Sequence, residues 1–330
     1  MLARHPCRGY KQTLHATRSP AMPHARPTVA RPILALLATL LLGRAAIASA
    51  QIELTDDAGQ RIVLAQPAQR IVSLAPHVTE ILFAAGAGER VVGVVAYSDY
   101  PEAARALPQV GGYTQVDLEA IVGLRPDLVI GWRSGNRDAH LARLQAMGIP
   151  VYLNEPRSLD DVARSLEQFG RLAGSEDAAH AAATAFRTRH AALAARYAGQ
   201  PLVRTFYQIW DRPLMTINDE HLIADVIRLC GGSNVFGSQA QLAPTIGVEA
   251  VLAANPEAIV ASGMGDARPE WLDQWARWPQ LEATARDNLF FVPPDLIQRH
   301  TPRILDGAER LCAQLETART RRPAAGAGGN

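Results

Sequence analysis

The sequence predicts an α/β chain of two similar lobes with central parallel-type sheets, joined by a single long rigid α-helix, with a ligand cleft between the lobes. Three observations predict it. From Arg70 onward, short apolar, β-branched runs alternate with helical stretches, the pattern of βαβ units. One phrase is written twice, DLEAIVGLRPDLVI from Asp117 to Ile130 and GVEAVLAANPEAIV from Gly247 to Val260, at a constant offset of 130 residues (117 to 247). Between the two sets of runs, Ser175 to Tyr197 is the longest helical stretch, free of Gly and Pro, with Ser175 as N-cap candidate and Gly199 as stop.

In chain order, residues 51–69 with Thr55-Asp56-Asp57-Ala58-Gly59 predict a small hairpin. Strands follow over Arg70–Leu74, Val91–Val95, Asp127–Gly131 and Val151–Leu153 in the first half. The second half has Val203–Ile209, Ala258–Ala261 and Leu289–Val292. Gly231-Gly232-Ser233-Asn234 resembles a helix stop and turn, not a phosphate cradle. The boundaries are a leader over 1–50, a first lobe over 51–174, a connecting helix over 175–199, a second lobe over 200–322 and a disordered tail over 323–330. In both copies of the repeated phrase a Glu (Glu119, Glu249) stands in the first turn of a helix. A Pro (Pro126, Pro256), an acid (Asp127, Glu257) and a buried strand come after it. The plain role of such a Glu is to complement the helix dipole, worth ~0.3–1 kcal/mol at a surface.

The 330 residues suffice for one large or two ordinary domains, and 48% hydrophobic with 20% charged residues is an ordinary globular composition. The net charge of +1 is uneven: the first 50 residues hold seven of the 33 basic residues and no acid. The remainder has 26 basic against 32 acidic residues, a net of −6 that argues against a nucleic-acid partner. Within the leader, Arg26 and Arg31 precede the apolar run Ile33 to Leu42, and Ala48-Ser49-Ala50 follows as a small-residue cleavage signal. This reads as a secretory signal peptide, too short for a membrane span, with Met22 as the expected start. Export leaves Cys230 and Cys312, an even pair in an oxidising compartment; they form a disulfide or two separate buried thiols.

Ligands of open parallel sheets collect beyond the carboxyl ends of the strands. In the first half those ends carry Pro76-His77, Tyr97-Ser98-Asp99-Tyr100 and Trp132-Arg133. In the second half they carry Trp210-Asp211-Arg212 and Asp295, with Arg299 and His300 beyond. The chain has five Trp and seven Tyr, so Tyr97, Tyr100, Trp132 and Trp210 at these ends suit a large, flat, partly apolar ligand with Arg adding directional polar contacts. Nucleophile-elbow, P-loop, zincin and dinucleotide-binding motifs are missing, and the six His beyond the leader lack metal-ligand spacing. The sequence therefore predicts neither an enzyme nor a bound cofactor.

The stretch from Arg70 to Asn136, with YSDYP and a strand ending in Trp132-Arg133, resembles periplasmic cobalamin-binding proteins of the BtuF type. They belong to the helical-backbone class of binding proteins for cobalamin, haem and iron siderophores that serve ABC importers. The similarity continues through VRTFYQIWDRPLMT and VIRLCGGSNVF to the end of the second lobe. It implies a monomeric periplasmic carrier that takes cobalamin or a related corrinoid between its lobes. Tyr97, Trp132, Trp210 and the loop Asp295-Leu296-Ile297-Gln298-Arg299 then line the pocket, with Pro76 and His77 facing it. Cys230 and Cys312 match a disulfide pair. Glu119 and Glu249 match carboxylates, one per lobe, that dock on Arg residues of the two membrane subunits of the importer.

Three positions depart from that pattern. Tyr113 stands where the cobalamin type carries a Trp and haem-binding relatives a ligating Tyr. Ala243 replaces a second-lobe Trp, and His77 replaces a small residue. A Tyr113 phenolate or a His77 imidazole is thus a candidate axial ligand to a metal-centred macrocycle. Haem or an iron siderophore is the alternative ligand. A secreted α/β enzyme is the different-class alternative, with Asp99, Asp295 and His300 as its acid and base.

Overall fold

The computed structural model describes residues 51–265 and 267–323. The expected leader, with Met22 and Cys7, and all but the first residue of the expected tail lie outside the described residues. Strands β1 (Ile52–Thr55) and β2 (Arg61–Leu64) form the expected antiparallel hairpin. Its turn is closed by the Asp56 carboxylate, which accepts from the N–H groups of Ala58 and Gln60 at 2.9 and 2.7 Å. The first lobe continues with β3 (Ile71–Ser73), helix α1 (Pro76–Ala84), β4 (Val91–Val94), β5 (Gly111–Gly112), β6 (Gln115–Val116) and helix α2 (Leu118–Gly123). It ends with β7 (Leu128–Trp132), helix α3 (Asp138–Ala146), β8 (Val151–Asn154) and helix α4 (Leu159–Ala173). Helix α5 (Glu176–Tyr197) leads to the second lobe: β9 (Val203–Gln208), α6 (Leu222–Leu229), β10 (Gly232–Asn234), α7 (Val248–Ala254), β11 (Ala258–Ala261), α8 (Glu282–Ala285), β12 (Leu289–Phe291), α9 (Pro294–Ile297) and α10 (Ile304–Thr320).

Each lobe holds one four-stranded parallel sheet, of order β4-β3-β7-β8 in the first and β10-β9-β11-β12 in the second. Apart from the partly exposed edge strands β10 and β12, the strands are largely buried on both faces, as parallel sheets with helices on each side are. Period-2 alternation divides their side chains between different cores. Ile71, Leu128 and Ile130 of the first sheet and Val203, Tyr207, Ala258 and Val260 of the second point into one cluster, which continues through Leu172, Phe186, Cys230 and Leu315. Their neighbours Val72 and Val129 fill a cluster belonging to the first lobe alone, and Phe206 and Ile259 fill one belonging to the second. The two lobes therefore share a central core rather than standing as two separate ones. Helix α5, with ten Ala among its 22 residues, crosses that core by burying Ala179, Ala183, Phe186, Leu193 and Tyr197 along one face.

Two elements differ from the sequence reading. Gly231 does stop α6, in a left-handed conformation at φ +67°, but Gly232–Asn234 then pairs in parallel with Val203–Thr205 as an edge strand instead of a turn. Gly, Ser and Asn have no strand preference, so the free edge of β9 decides this segment and its composition does not. Ser175 precedes α5 but does not cap it with its side chain; its hydroxyl donates to the Ala85 carbonyl at 2.7 Å, fastening the helix start to the end of α1.

The structural half of the repeated phrase serves the same end in both lobes. The Asp127 carboxylate accepts from the N–H groups of Gln69 and Arg70 at 2.8 and 2.9 Å, and Glu257 accepts from the N–H of Arg204 at 3.1 Å. Each acid thus anchors the start of the neighbouring central strand. The Arg70 and Arg204 side chains in turn donate to carbonyls at the ends of α2 and α7, Leu124 at 2.7 Å and Asn255 at 3.2 Å.

Of the two readings for the cysteines, the bridge is the one present: Cys230 at the end of α6 is bonded to Cys312 in α10 across 82 residues, fully inside the shared core. Replacing both with Ala removes a constraint worth ~2–5 kcal/mol. The thermal midpoint followed by circular dichroism is expected to fall by roughly 5–15 °C, and that of reduced wild type with it. Unchanged melting in both would refute a structural role for the bridge.

Candidate functional site

Because every strand of a sheet runs the same way, all first-lobe strand ends lie at one edge and all second-lobe ends at another. The first edge is aromatic. Tyr97 follows β4 in a left-handed conformation (φ +66°) with 72% of its surface exposed. A non-Gly residue held there marks a position whose side-chain direction matters more than backbone ease. Trp132 ends β7, and Tyr113 on the β5–β6 hairpin lies 5.8 Å from it, ring to ring, and 39% exposed. Arg133 turns outward and donates to the Asp57 carbonyl at 3.3 Å.

Asn136, buried and not singled out by the sequence, locks this edge. Its Oδ1 accepts from the Trp132 N–H at 2.6 Å, and its Nδ2 donates to the carbonyls of Leu74 and Tyr113 at 2.9 and 2.7 Å. One amide therefore ties the ends of two strands to the hairpin. Gly135 completes the arrangement, since a Cβ there would stand 1.9 Å from the Trp132 ring.

At the second edge Trp210 is 39% exposed, and its indole N–H donates to the Arg212 carbonyl at 3.0 Å. With Met264 and Trp271 it lines a cavity of about 260 Å³. The 295–299 segment divides between several roles. Asp295, Leu296 and Gln298 are partly exposed, whereas Ile297 is fully buried and belongs to the shared core. Gln298 donates through Nε2 to the Ser262 hydroxyl, which also bonds the Tyr207 hydroxyl at 2.7 Å. The Arg299 guanidinium, expected to read the ligand, reaches across the lobes instead: it meets Glu80 at 2.9 Å, Asp99 at 2.7 Å and Asp295 at 3.1 Å. Arg303 joins it on Glu80, through Nε at 2.9 Å and Nη2 at 2.6 Å, and lies 3.9 Å over the Tyr100 ring. Glu80 is buried in α1 and has no neighbouring charge in the sequence to betray its partners.

Where the edges adjoin, Pro76 opens α1 and His77 follows it into the interior. The His77 ring packs 5.3 Å from Trp132 and 5.4 Å from His300 of the other lobe; Trp132 and His300 are 6.1 Å apart, and His221 is 5.8 Å from His300. Burial drives all three imidazoles toward the neutral form. His300 is pushed down to about 4, and His221 to about 3 by burial and then by the nearby His300 and Arg157. His77 lies well below its ordinary range for the same first reason, with His300 adding to the effect and Asn154 opposing it. His77 Nε2, His300 Nδ1, Trp132 Nε1 and the Asn154 Oδ1 that acts on His77 are buried without a well-formed hydrogen bond.

Of the acid–base set of the enzyme alternative, Asp99 and Asp295 both meet Arg299, and His300 follows it in the chain. Burial raises the Asp99 carboxyl, but the Arg299 hydrogen bond and charge outweigh it and hold it below the usual range, while His300 is too weak a base near neutral pH. Among the described residues no group of three or more His, Cys, Asp or Glu is placed to hold a metal ion, and no helix is long and apolar enough to cross a membrane. Glu119 and Glu249 are exposed in the first turns of α2 and α7. Each helix leads into a parallel strand, so its start lies toward the carboxyl edge of its sheet.

His300 and His221 are bases whose values in the fold lie below the ordinary 6.5, so the folded chain binds their protons less readily than the unfolded one. The stability this reflects is complete above about pH 6.5 and is lost as pH falls toward 4. For His300 the loss between pH 7 and pH 4.5 is on the order of 2–3 kcal/mol. Urea unfolding of His300→Gln is expected to show a smaller drop over that interval than wild type; parallel pH profiles would contradict the assignment.

Residues 71–296 match the model of the family described as periplasmic binding protein. A vitamin B12-binding protein of Vibrio cholerae serotype O1 is 36% identical over 253 residues, 76% of this chain and 91% of that protein. The solved periplasmic vitamin B12 binding protein BtuF of Vibrio cholerae superposes with a TM-score of 0.71 at 35% identity, covering 77% of this chain and 98% of that one. The periplasmic heme-binding protein RhuT from Roseiflexus sp. RS-1, without ligand, superposes at 0.65 with 26% identity, covering 76% and 99%. With the family model spanning both parallel-sheet lobes and relatives of this identity over nearly their whole length, the chain belongs to the periplasmic binding protein family.

Proposed function

We propose that this chain is a periplasmic substrate-binding protein that captures cobalamin or a related corrinoid between its lobes and delivers it to an ABC importer. The observation that carries the proposal is the set of rings at two adjoining sheet edges, Tyr97, Tyr113 and Trp132 on one and Trp210 on the other, three of them more than a third exposed. Rigid, amphipathic rings of this kind grip a flat macrocycle at low entropic cost. Relatives named for vitamin B12 binding support the ligand, and the leader expected over 1–50 supports the compartment. In this reading residues 51–174 and 200–322 are the lobes, and the 175–199 link restricts them to small relative movements. The protein is a carrier without covalent chemistry, and a monomer when free. In this reading the partly exposed Pro76, Asp295, Leu296 and Gln298 form the rim of the cleft, and the buried Ile297 supports them from the core.

The exposed Tyr113 favours haem as a second reading, with its phenolate as an iron ligand. Titrating the purified protein with cyanocobalamin and with haemin separates the two. Cyanocobalamin binding that survives Tyr113→Phe is expected. Binding of haemin alone, with a visible band abolished by Tyr113→Phe, would overturn the corrinoid reading.

Glu119 and Glu249 supply one equivalent carboxylate per lobe to the two membrane subunits of the importer. Exposed Glu–Arg pairs contribute only ~0.2–1 kcal/mol each, so these set orientation and partner choice. The double variant Glu119→Ala, Glu249→Ala is expected to bind ligand normally while failing to stimulate the transporter's ATPase. Normal stimulation would refute the docking role.

A further inference from the structure

We infer that the floor of the cleft, formed by Trp132 Nε1, His77 Nε2 and His300 Nδ1, is an uncharged hydrogen-bonding subsite that takes a carboxamide at the edge of the bound macrocycle and rejects a carboxylate. The inference rests on the corrinoid reading above and adds to it which residues exclude tetrapyrroles with acidic edges.

The three nitrogens belong to rings that touch pairwise, 5.3, 5.4 and 6.1 Å apart, and all three are buried without a partner. Buried polar atoms in folded proteins are nearly always paired. Asn154 Oδ1, a buried acceptor that acts on His77, can satisfy at most one of them, so at least two of the three, in the region where the two lobes meet, call for a partner from outside the chain. His77 comes from the first lobe and His300 from the second, and their rings are in contact without a hydrogen bond, so an incoming edge reaches the nitrogens by turning these side chains aside while the lobes keep their places. Tyr113, beside Trp132 and partly exposed, leads from the open cleft to this point.

The chemistry of the set selects the edge. The indole N–H can only donate, while a neutral imidazole carries one donor and one acceptor. A carboxamide, with a carbonyl to accept and an NH2 to donate, satisfies such a mixture; a carboxylate accepts only. Burial keeps His77 and His300 uncharged, so they offer a carboxylate no positive charge. The nearby guanidinium groups of Arg299 and Arg303 are engaged by Glu80, Asp99 and Asp295, three carboxylates against two cations. A ligand whose faces lie against rings of opposite lobes presents its edge to this floor. Corrinoid edges carry carboxamides, whereas haem carries two carboxylates on its edge.

The test compares affinities for cyanocobalamin and for its b-, d- and e-monocarboxylic acids, each with one propionamide hydrolysed. Wild type is expected to disfavour at least one acid by about tenfold or more. His77→Leu with His300→Leu should erase that preference, while His77→Gln with His300→Gln, uncharged and able both to donate and to accept, should keep it. Glu80→Gln, which releases guanidinium charge beside the floor, should raise affinity for the disfavoured acid relative to cyanocobalamin. Equal wild-type affinities for all four compounds, or a preference that survives the Leu pair, would overturn the inference while leaving the corrinoid reading intact. A wild type that binds no cyanocobalamin would instead remove the corrinoid reading and this inference with it.

Discussion

A single buried carboxylate, that of Glu80, organises the relation between the lobes. It sits in α1 of the first lobe almost without solvent contact, and both cations that hold it, Arg299 and Arg303, come from the second. A charge in such a place requires close partners, and breaking a buried pair by removing one side typically costs ~3–5 kcal/mol. The lobes are therefore joined at the cleft as well as through α5. A third tie runs lower down, where Asp225 of α6 accepts from the Leu159 N–H at the start of α4 at 2.8 Å. The shared apolar core lies along the same boundary, so relative movement of the sheets is resisted by packing and by charge together.

That constraint also explains the different fates of the two kinds of symmetry in the chain. The acids that anchor neighbouring strands, Asp127 and Glu257, are copied because both sheets need the same start. The cleft is not copied. The first edge gathers its rings around Asn136, while the second spends its polar groups on Ser262, Tyr207 and the arginines that cross to Glu80. A single asymmetric molecule held between two similar lobes meets different chemistry on each side.

Much of the architecture was legible in the residues. The strand runs, the Gly- and Pro-free helix and the repeated phrase each follow from local rules of periodicity and breaking residues, and each lies within a residue or two of its expected place. Tyr97, Trp132 and Trp210 could be singled out because ligands of parallel sheets collect at strand ends, and Tyr113, on the antiparallel β5–β6 hairpin, only through the family resemblance. The role of Arg299 was not, since its partners Glu80 and Asp99 lie 219 and 200 residues away. Nor was Asn136, whose importance comes from the backbone groups of Leu74 and Tyr113, and backbone geometry leaves no mark on composition.

The sequence by itself determined which segments become strands and helices, that two lobes of like build follow one another, and which edge of each carries the rings. Those properties depend on neighbours a few residues apart, where side-chain period and chain stiffness dominate. Only the tertiary structure decided that Gly232–Asn234 is a strand, that the lobes share one core, and that His77, His300 and Trp132 meet with their nitrogens unpaired. These arise where remote segments compete for the same free edge, the same apolar volume or the same buried charge, and such competition is resolved only when the chain is folded.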